Sequence, residues 1–499
     1  MLNTHRIVVS THDVLLNALR HGYIHLGADV GFLVFDEAHH AAGKHSYNRL
    51  MREFYDALPP RVPDDINKTM RPMILGLTAS PIFGGKAERA FRQVKQTHFF
   101  LWFILLTFLF CWDRQLEVNL DSVICAPLLS PEDLKLYVHR PHFKHVIYAE
   151  PKYLLEGPPP SRSLESLKSV VSSLDIDKDP SVLNLRAELQ QLEPGPKRNQ
   201  TDQRLSEAID KRDSFTHKGL RDFERAADEI CSDLGEWAAN WYIHRVCKYA
   251  TDATSRTFPE FFFSINESEK EYLLGHLSRV EITPIPNDDP EDMLRKSSDK
   301  VEKLVDTLLE EKASFEENEK EMDYRGIIFV TRRDAVLALT EILARHPRTA
   351  QVFTVGSLLG ESGNPRRRSF LDITRHQLCQ PPNETLEDFR IGKLNLIVAT
   401  AVAEEGLDIQ ACCNVVRWDV PPNMVSWAQS RGRARQKHSS FVLMFSDSLV
   451  FEPIVRKWRE QEKEMAALYN TRSEYLMPPI EDEDADEDGS LRFRVDATG

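Results

Sequence analysis

Two short stretches, Asp36-Glu37-Ala38-His39 and Gln429-Ser430-Arg431-Gly432-Arg433-Ala434-Arg435, hold residue types suited to chemistry on a phosphate ester. An apolar run ending in Asp-Glu puts two carboxylates at the carboxyl edge of a buried sheet, where open α/β folds bind ligands. Asp36 would hold Mg²⁺ there, mostly through water, and Glu37 would orient or deprotonate an attacking water. A solvated strand end would look the same. The adjoining Ala38-His39 and the hydroxyl-bearing Thr78-Ala79-Ser80 argue against that plainer reading. Thr78 and Ser80 could relay the state of a bound nucleotide to a nucleic-acid face, or form an ordinary turn before Pro81. His39 either couples the same two faces or simply packs.

The second stretch carries three arginines, and charges at this spacing usually mark a solvated helix face. Gly432 points elsewhere: glycine inside a helix costs about 1 kcal/mol, which suggests that the backbone approaches something closely. Planar guanidinium forks suit phosphate oxygens, so Arg433 and Arg435 are assigned as fingers on the charge that develops at a terminal phosphate. Between the two stretches, Thr400 ends an apolar run, where its hydroxyl and the helix start behind it could donate to a nucleic-acid phosphate. Gly406 and Asp408 follow at positions suited to line a nucleotide cleft. Capping would explain Thr400 but leaves Gly406 and Asp408 unexplained. The basic loop Pro365-Arg366-Arg367-Arg368 either grips phosphates or is solvated.

These residues need sheet edges to hold them. Ile7-Val8-Val9, with Ser10-Thr11 at its tip, reads as a short strand before a helix with Val14, Leu15, Ala18 and Leu19 on one face. The pattern recurs at Gly31 to Phe35 before Asp36 and at Met73 to Leu77 before Thr78. Near-continuous apolar strands alternating with helices predict α/β architecture with parallel sheets covered on both faces. A second series of four runs begins at Gly326 to Val330, where Thr331 is placed to cap the next helix. It continues at Leu396 to Thr400, Val415 to Trp418 and Phe441 to Phe445.

The expected division is a first lobe at 1–128, a helical insertion at 129–315 and a second lobe at 316–450. A linker helix around Trp458 occupies 451–480, and a disordered acidic tail 481–499. Aromatic residues from Trp237 to Tyr249 would form the core of the insertion, with Phe261-Phe262-Phe263 packed nearby. Segment 94–114 is expected to be an aberrant insertion, a translated intron, because its deletion joins a plausible helix to the strand Val123-Ile124-Cys125. A genuine buried helix is the alternative.

With 499 residues and 41% apolar content, the chain is long enough for several domains. A net charge of −14 means that any nucleic acid must be held by a local basic channel. Seven cysteines without C-x-x-C pairs argue against a disulfide framework or structural zinc and favour a reducing, intracellular setting, cytoplasmic rather than nuclear. No secretory signal is read at the start. The apolar stretch from Phe99 to Trp112 falls short of the ~20 residues that span a bilayer, so no membrane association is expected.

Taken in order, Phe35 to His40, Leu77 to Pro81, Ala399 to Asp408 and Gln429 to Arg435 resemble the superfamily 2 RNA helicases shared by Dicer enzymes and the retinoic-acid-inducible-gene-like innate immune receptors. Cys412 to Asp419, leading into Ser430 to Arg435, looks most like the fungal Dicer-like proteins of the second class, whose members process double-stranded RNA in antiviral silencing. The resemblance implies two RecA-like lobes with a helical insertion, clamping an RNA duplex while hydrolysing ATP with Mg²⁺. It implies nucleotide contacts for His39, Gly406, Asp408 and Gln429, and RNA-backbone contacts for Ser10, Thr11, Thr331 and Thr400. RNA would be read by A-form shape, phosphates and 2′-hydroxyls.

By the same comparison the chain looks truncated at both ends. A Gly-x-x-x-x-Gly-Lys-Ser/Thr phosphate cradle would lie upstream, and Gly84-Gly85-Lys86 lacks the strand and hydroxyl to replace it. The paired acidic motifs of ribonuclease III, expected in downstream domains of the full-length protein together with RNA-binding domains, do not occur here. Two other functions fit the motifs: a branch-migration-type DNA helicase, which usually reads Gly-Arg-Thr-Gly-Arg where this chain has Gly432-Arg433-Ala434-Arg435, and a catalytically silent RNA-binding scaffold or truncated gene product.

Overall fold

In a computed structural model the chain divides into two compact units, residues 1–134 with 423–425 and 452–499, and residues 135–422 with 426–451. The structure describes residues 5–41, 43–59, 70–78, 119–122, 139–150, 161–212, 214–252, 267–284, 289–360, 371, 378, 380–400, 409, 411–447, 452–460 and 463. The expectations for 94–114, Phe261-Phe262-Phe263, the loop at 365–368 and the acidic tail lie outside them.

In the first unit β1 (Phe32–Phe35) and β2 (Met73–Gly76) pair in parallel, Phe32 opposite Met73 and Phe35 opposite Gly76. Side chains alternate across a strand, so Leu33 and Phe35 turn to one side. There they join Leu16 and Leu19 of α1 (His12–Arg20), Leu50, Met51 and Leu120 in one core. Phe32, Val34, Met73 and Leu75 are exposed on the other side. Among the described residues this sheet is therefore covered on one face, not two. Ile7-Val8-Val9 is not a strand: it has no ladder partner, and Ile7 and Val9 are 83% and 93% exposed. Three residues without a neighbouring strand cannot recover their backbone hydrogen bonds. α1 does follow, but it buries Leu16 and Leu19 and leaves Val14 exposed. The inward face is thus rotated from the expected one.

The second unit contains six parallel strands, β3 (His142–Tyr148), β4 (Gly326–Phe329), β5 (Val355–Leu358), β6 (Leu396–Ala399), β7 (Asn414–Arg417) and β8 (Ser440–Ser446), in the order β3-β8-β7-β4-β6-β5. Every residue of β4, β6 and β7 is buried, as cover on both faces demands. β3 and β5 add to the four strands anticipated. β3 corrects the domain boundary, since 142–148 pairs with β8 over its whole length and so belongs to the second sheet. The inserted helices run between β3 and β4. Lys144 and two histidines gave this strand a polar sequence, and its position at the sheet edge tolerates them. Lys144 reaches Glu310 and Glu311 at 2.8 and 3.3 Å.

Among the inserted helices, α2 (Arg162–Ser172), α3 (Phe215–Leu234), α4 (Glu236–Asp252) and α5 (Asp299–Asn318) share one core with the sheet. α4 supplies Trp237, Trp241, Tyr242 and Val246 to it, as expected. Gly235 separates α3 from α4 at φ +104, and a β-carbon there would lie 2.3 Å from the carbonyl oxygen of Lys296. Only glycine admits both that backbone angle and that approach. A helix also occupies 452–460, with Trp458 buried. No described helix is long and apolar enough to cross a membrane.

Buried polar groups tie the helices together. Asp179 accepts from Ser214 at 2.6 Å and from the backbone N–H of Ser181 at 2.9 Å, while His217 lies 3.7 Å away. Burial holds His217 below the ordinary histidine value of 6.5, and nearby Arg221 and Arg212 add to this against the pull of Asp179. Burial likewise lowers His244 and His276. The unfolded chain therefore binds more protons than the folded one just below pH 6.5, and stability must fall with pH there. Urea titrations should show a midpoint that drops as pH falls from 7 toward 5. His217→Gln should flatten that slope, and an unchanged slope would contradict the assignment.

Candidate functional site

The carboxyl ends of β1 and β2 form the first candidate edge. Asp36 follows Phe35 with an exposed side chain, and Glu37 adopts φ +49, a left-handed turn that sends the chain into a 3-10 segment, Ala38–His40. The turn is fastened to β2: Ala38 N–H donates to the Leu77 carbonyl at 2.8 Å, and Leu77 N–H to that of Phe35 at 2.9 Å. His39 is buried, with Nδ1 2.9 Å from Thr78 Oγ1 and 3.3 Å from Glu37 Oε2. The structure thus brings Asp36, Glu37, His39 and Thr78 to one edge, where Thr78 and the Glu37 carboxylate meet the same imidazole nitrogen.

Residues not singled out in the sequence buttress this edge. Tyr47 donates its hydroxyl to the Asp36 carbonyl at 3.0 Å, and its ring meets Phe35, His45 and His12 edge-on. Burial and the neighbouring Asp36 and Glu37 raise its phenol pKa. His45 stacks on His40 and accepts from Tyr47 N–H at the start of the following helix. An aromatic residue spaced along the helix after Asp-Glu was the available signal. Ser10 and Thr11 sit exposed before α1, and Thr11 occupies its N-cap position without a side-chain capping bond.

The second candidate edge lies in the other unit, at the exit of α7 (Met424–Arg431). Ser430 is buried and donates to the Ser426 carbonyl. Trp427, also buried, packs edge-on against Phe441 and leans on Phe143. This fixes the helix that carries Gln429. Arg433 and Ala434 are pinned to the start of β7, because Cys412 N–H donates to the Arg433 carbonyl at 3.0 Å. The exposed Arg435 turns back, donating from Nε to the Gly432 carbonyl at 2.7 Å. Gly432 does sit in a tight place, but against its own helix: a β-carbon would meet the carbonyl oxygens of Gln429 and Ala428 at 3.2 and 3.3 Å.

Thr331 does not cap the helix after β4. Arg332 takes the N-cap position of α6 (Arg333–Arg345), and the Thr331 N–H donates instead to Asp419 at 2.6 Å, beyond the tip of β7. Thr400 follows β6, is buried, and donates its N–H to the Leu358 carbonyl. Ser80, Gly406 and Asp408 lie outside the described residues.

No group of three or more His, Cys, Asp or Glu side chains that could cage a metal occurs among the described residues. Mg²⁺ keeps several waters and takes one or two carboxylates plus phosphate oxygens. The exposed Asp36 fits such a ligand.

The pattern of the helicase conserved C-terminal domain matches residues 299–437. Dicer-like protein 2 of Neosartorya fischeri is 33% identical over 505 residues that take in 100% of this chain and 32% of that protein. Dicer-like protein 2 of Aspergillus fumigatus is 32% identical over 100% of this chain and 32% of its own length. That of Phaeosphaeria nodorum is 32% identical over 99% and 32%. The chain spans about a third of the length of these curated relatives. The crystal structure of the Pyrococcus furiosus Hef helicase domain aligns with 90% of this chain and 77% of that one, at 20% identity and a TM-score of 0.37.

The packing at the first edge yields a test. A β-carbon on Gly76 would stand 2.8 Å from the β-carbon of Ala38 and 3.4 Å from Leu120, so Gly76→Ala must displace the turn after Glu37. Overpacking of this kind costs about 1–3 kcal/mol. Chemical denaturation should report a loss in that range, and a neutral result would contradict the packing. Matched along its whole length and carrying the helicase C-terminal pattern, the chain is a homologue of a helicase-type region of the fungal Dicer-like proteins, about a third of their length.

Proposed function

We propose that this region hydrolyses ATP with Mg²⁺ while holding double-stranded RNA, as the motor part of a longer intracellular Dicer-like endoribonuclease that acts in RNA silencing and antiviral defence. The observation that carries the reading is the contact between His39 and Thr78, 2.9 Å apart at the ends of adjacent parallel strands. With Glu37 on the same nitrogen, it joins a carboxylate to a hydroxyl beyond the next strand, the connection a motor needs if events at a nucleotide are to be felt elsewhere.

Bound Mg²⁺ would neutralise phosphate charge and orient the terminal phosphate. Asp36 would hold the cation through its water shell. Glu37, turned by its left-handed backbone toward His39, orients the attacking water and accepts its proton. Arg433 and Arg435 supply positive charge to the phosphate as the bond breaks. Thr331 and Thr400 follow strands of the second sheet and Ser10 and Thr11 stand exposed before α1, where their hydroxyls meet a phosphate backbone without reading its sequence. Cleavage of RNA belongs to ribonuclease III domains elsewhere in the full-length protein.

Glu37→Gln in the full-length protein should lower RNA-stimulated ATP hydrolysis by at least about 100-fold, as expected for a lost water-positioning group. Binding of ATP and of duplex RNA should stay within about twofold, because the amide keeps the size of the carboxylate and one of its acceptor oxygens. Hydrolysis at the parental rate would refute the assignment, and equal affinity for DNA and RNA duplexes would refute the substrate.

A further inference from the structure

At the carboxyl ends of the strands of the second sheet lies a cleft of about 380 Å³ whose lining includes Lys300, Asp233, Asp419, Tyr148 and Arg332. Strand order reverses there: the chain runs from β4 outward to β5 and β6, then returns to β7 on the other side of β4. Lys300 occupies this point. Its side chain is 5% exposed, with Nζ 2.7 Å from Asp233 and 3.9 Å from Asp419. The ammonium also lies 4.1 Å from the centre of the Trp418 ring and 4.9 Å from that of Tyr148.

Each partner belongs to a different part of the unit. Asp233 is in the last turn of α3, and its other oxygen accepts from the Trp418 indole at 2.5 Å. Lys300 is in the first turn of α5, whose N-cap Ser298 donates to the Asp233 carbonyl at 2.8 Å. Asp419 follows β7 and receives the Thr331 N–H from beyond β4. Ala149 N–H, after β3, donates to Asp299 at 2.8 Å. Burial alone would lower the ammonium's pKa, yet Asp233 and Asp419 raise it above its ordinary value, so the charge persists at neutral pH. A cation with two carboxylates and two ring faces has one well-defined position.

We propose that Lys300 is a positioning residue: paired with Asp233 and Asp419 together, it fastens the base of the inserted helices to the strand ends and thereby fixes the Thr331 backbone for contact with an RNA phosphate. The inference rests on the duplex-RNA reading above. Without the ammonium, Asp419 faces the half-buried Asp233 uncompensated and moves away, and the Thr331 N–H loses its acceptor. The insertion and the RNA-facing strand end then no longer move as one body.

The test is duplex-RNA affinity of the full-length protein across a KCl series, with thermal unfolding of each variant recorded alongside. Lys300→Met and Asp419→Ala should each weaken binding about 3- to 10-fold and reduce the salt slope by about one, the signature of a lost phosphate contact. The double variant should bind no more weakly than the worse single, since both act through one link. Lys300→Arg, which keeps the charge, should restore most of the affinity. Parental affinity in folded Lys300→Met and Asp419→Ala, or additive losses in the double, would overturn the role. Should Lys300→Met fail to fold, Asp419→Ala decides, because it spares the Lys300–Asp233 pair. Absence of duplex-RNA binding by the parental protein would instead overturn the functional reading and this inference with it.

Discussion

Parallel strand pairing is the constraint from which the candidate sites follow. In each sheet the hydrogen-bonded register forces all strands to end at the same edge. Residues far apart in sequence are therefore delivered to one line. Asp36 and Thr78 come together because Phe35 is opposite Gly76. Thr331, Thr400 and Asp419 come together because β4 lies between β6 and β7. The ladder also explains why small residues are needed beneath the site. Gly76 leaves space for Ala38, and any side chain there would lift the turn that aims Glu37.

Once the ladders are set, side chains hold the edges in two contrasting ways. The first edge relies on aromatic stacking: Tyr47, His12, His40 and His45 surround the turn and reach it through the Asp36 carbonyl. The strand ends around Lys300 in the second sheet rely on charge instead. The buried Lys300 ammonium loses hydration in the cleft, a cost offset by Asp233 and Asp419, which the Trp418 indole and the Thr331 N–H hold in place. Aromatic packing tolerates small shifts, whereas a desolvated ion cluster permits one arrangement and fails when a member is removed.

Much of this was legible in the sequence where hydrophobicity carries the signal. The runs at β1, β2, β4, β6, β7 and β8 are apolar, and the structure makes each a strand. Signals carried by polar residues were not legible. His142, Lys144 and His145 hid β3, although an edge strand can hold them. Gly356 and Ser357 interrupted β5. Thr331 had the look of a cap, yet its backbone partner is 88 positions away on another strand, and a partner so distant leaves no local trace. Ile7-Val8-Val9 shows the converse: apolar residues mark a strand only where another strand is available to pair. At the candidate site, the Asp-Glu-Ala-His and Thr-Ala-Ser patterns were legible as separate motifs, while Tyr47, Asp419 and Lys300 emerged only from packing.

The central claim is that Glu37 and Thr78, which His39 links at one strand edge, serve one reaction. Single-turnover ATP hydrolysis by the full-length protein carrying Glu37→Gln, Thr78→Val or both tests it most directly, because groups that act as a unit give non-additive losses. The account predicts that the double variant is no slower than the slower single. Losses that multiply would show two residues acting independently and contradict it.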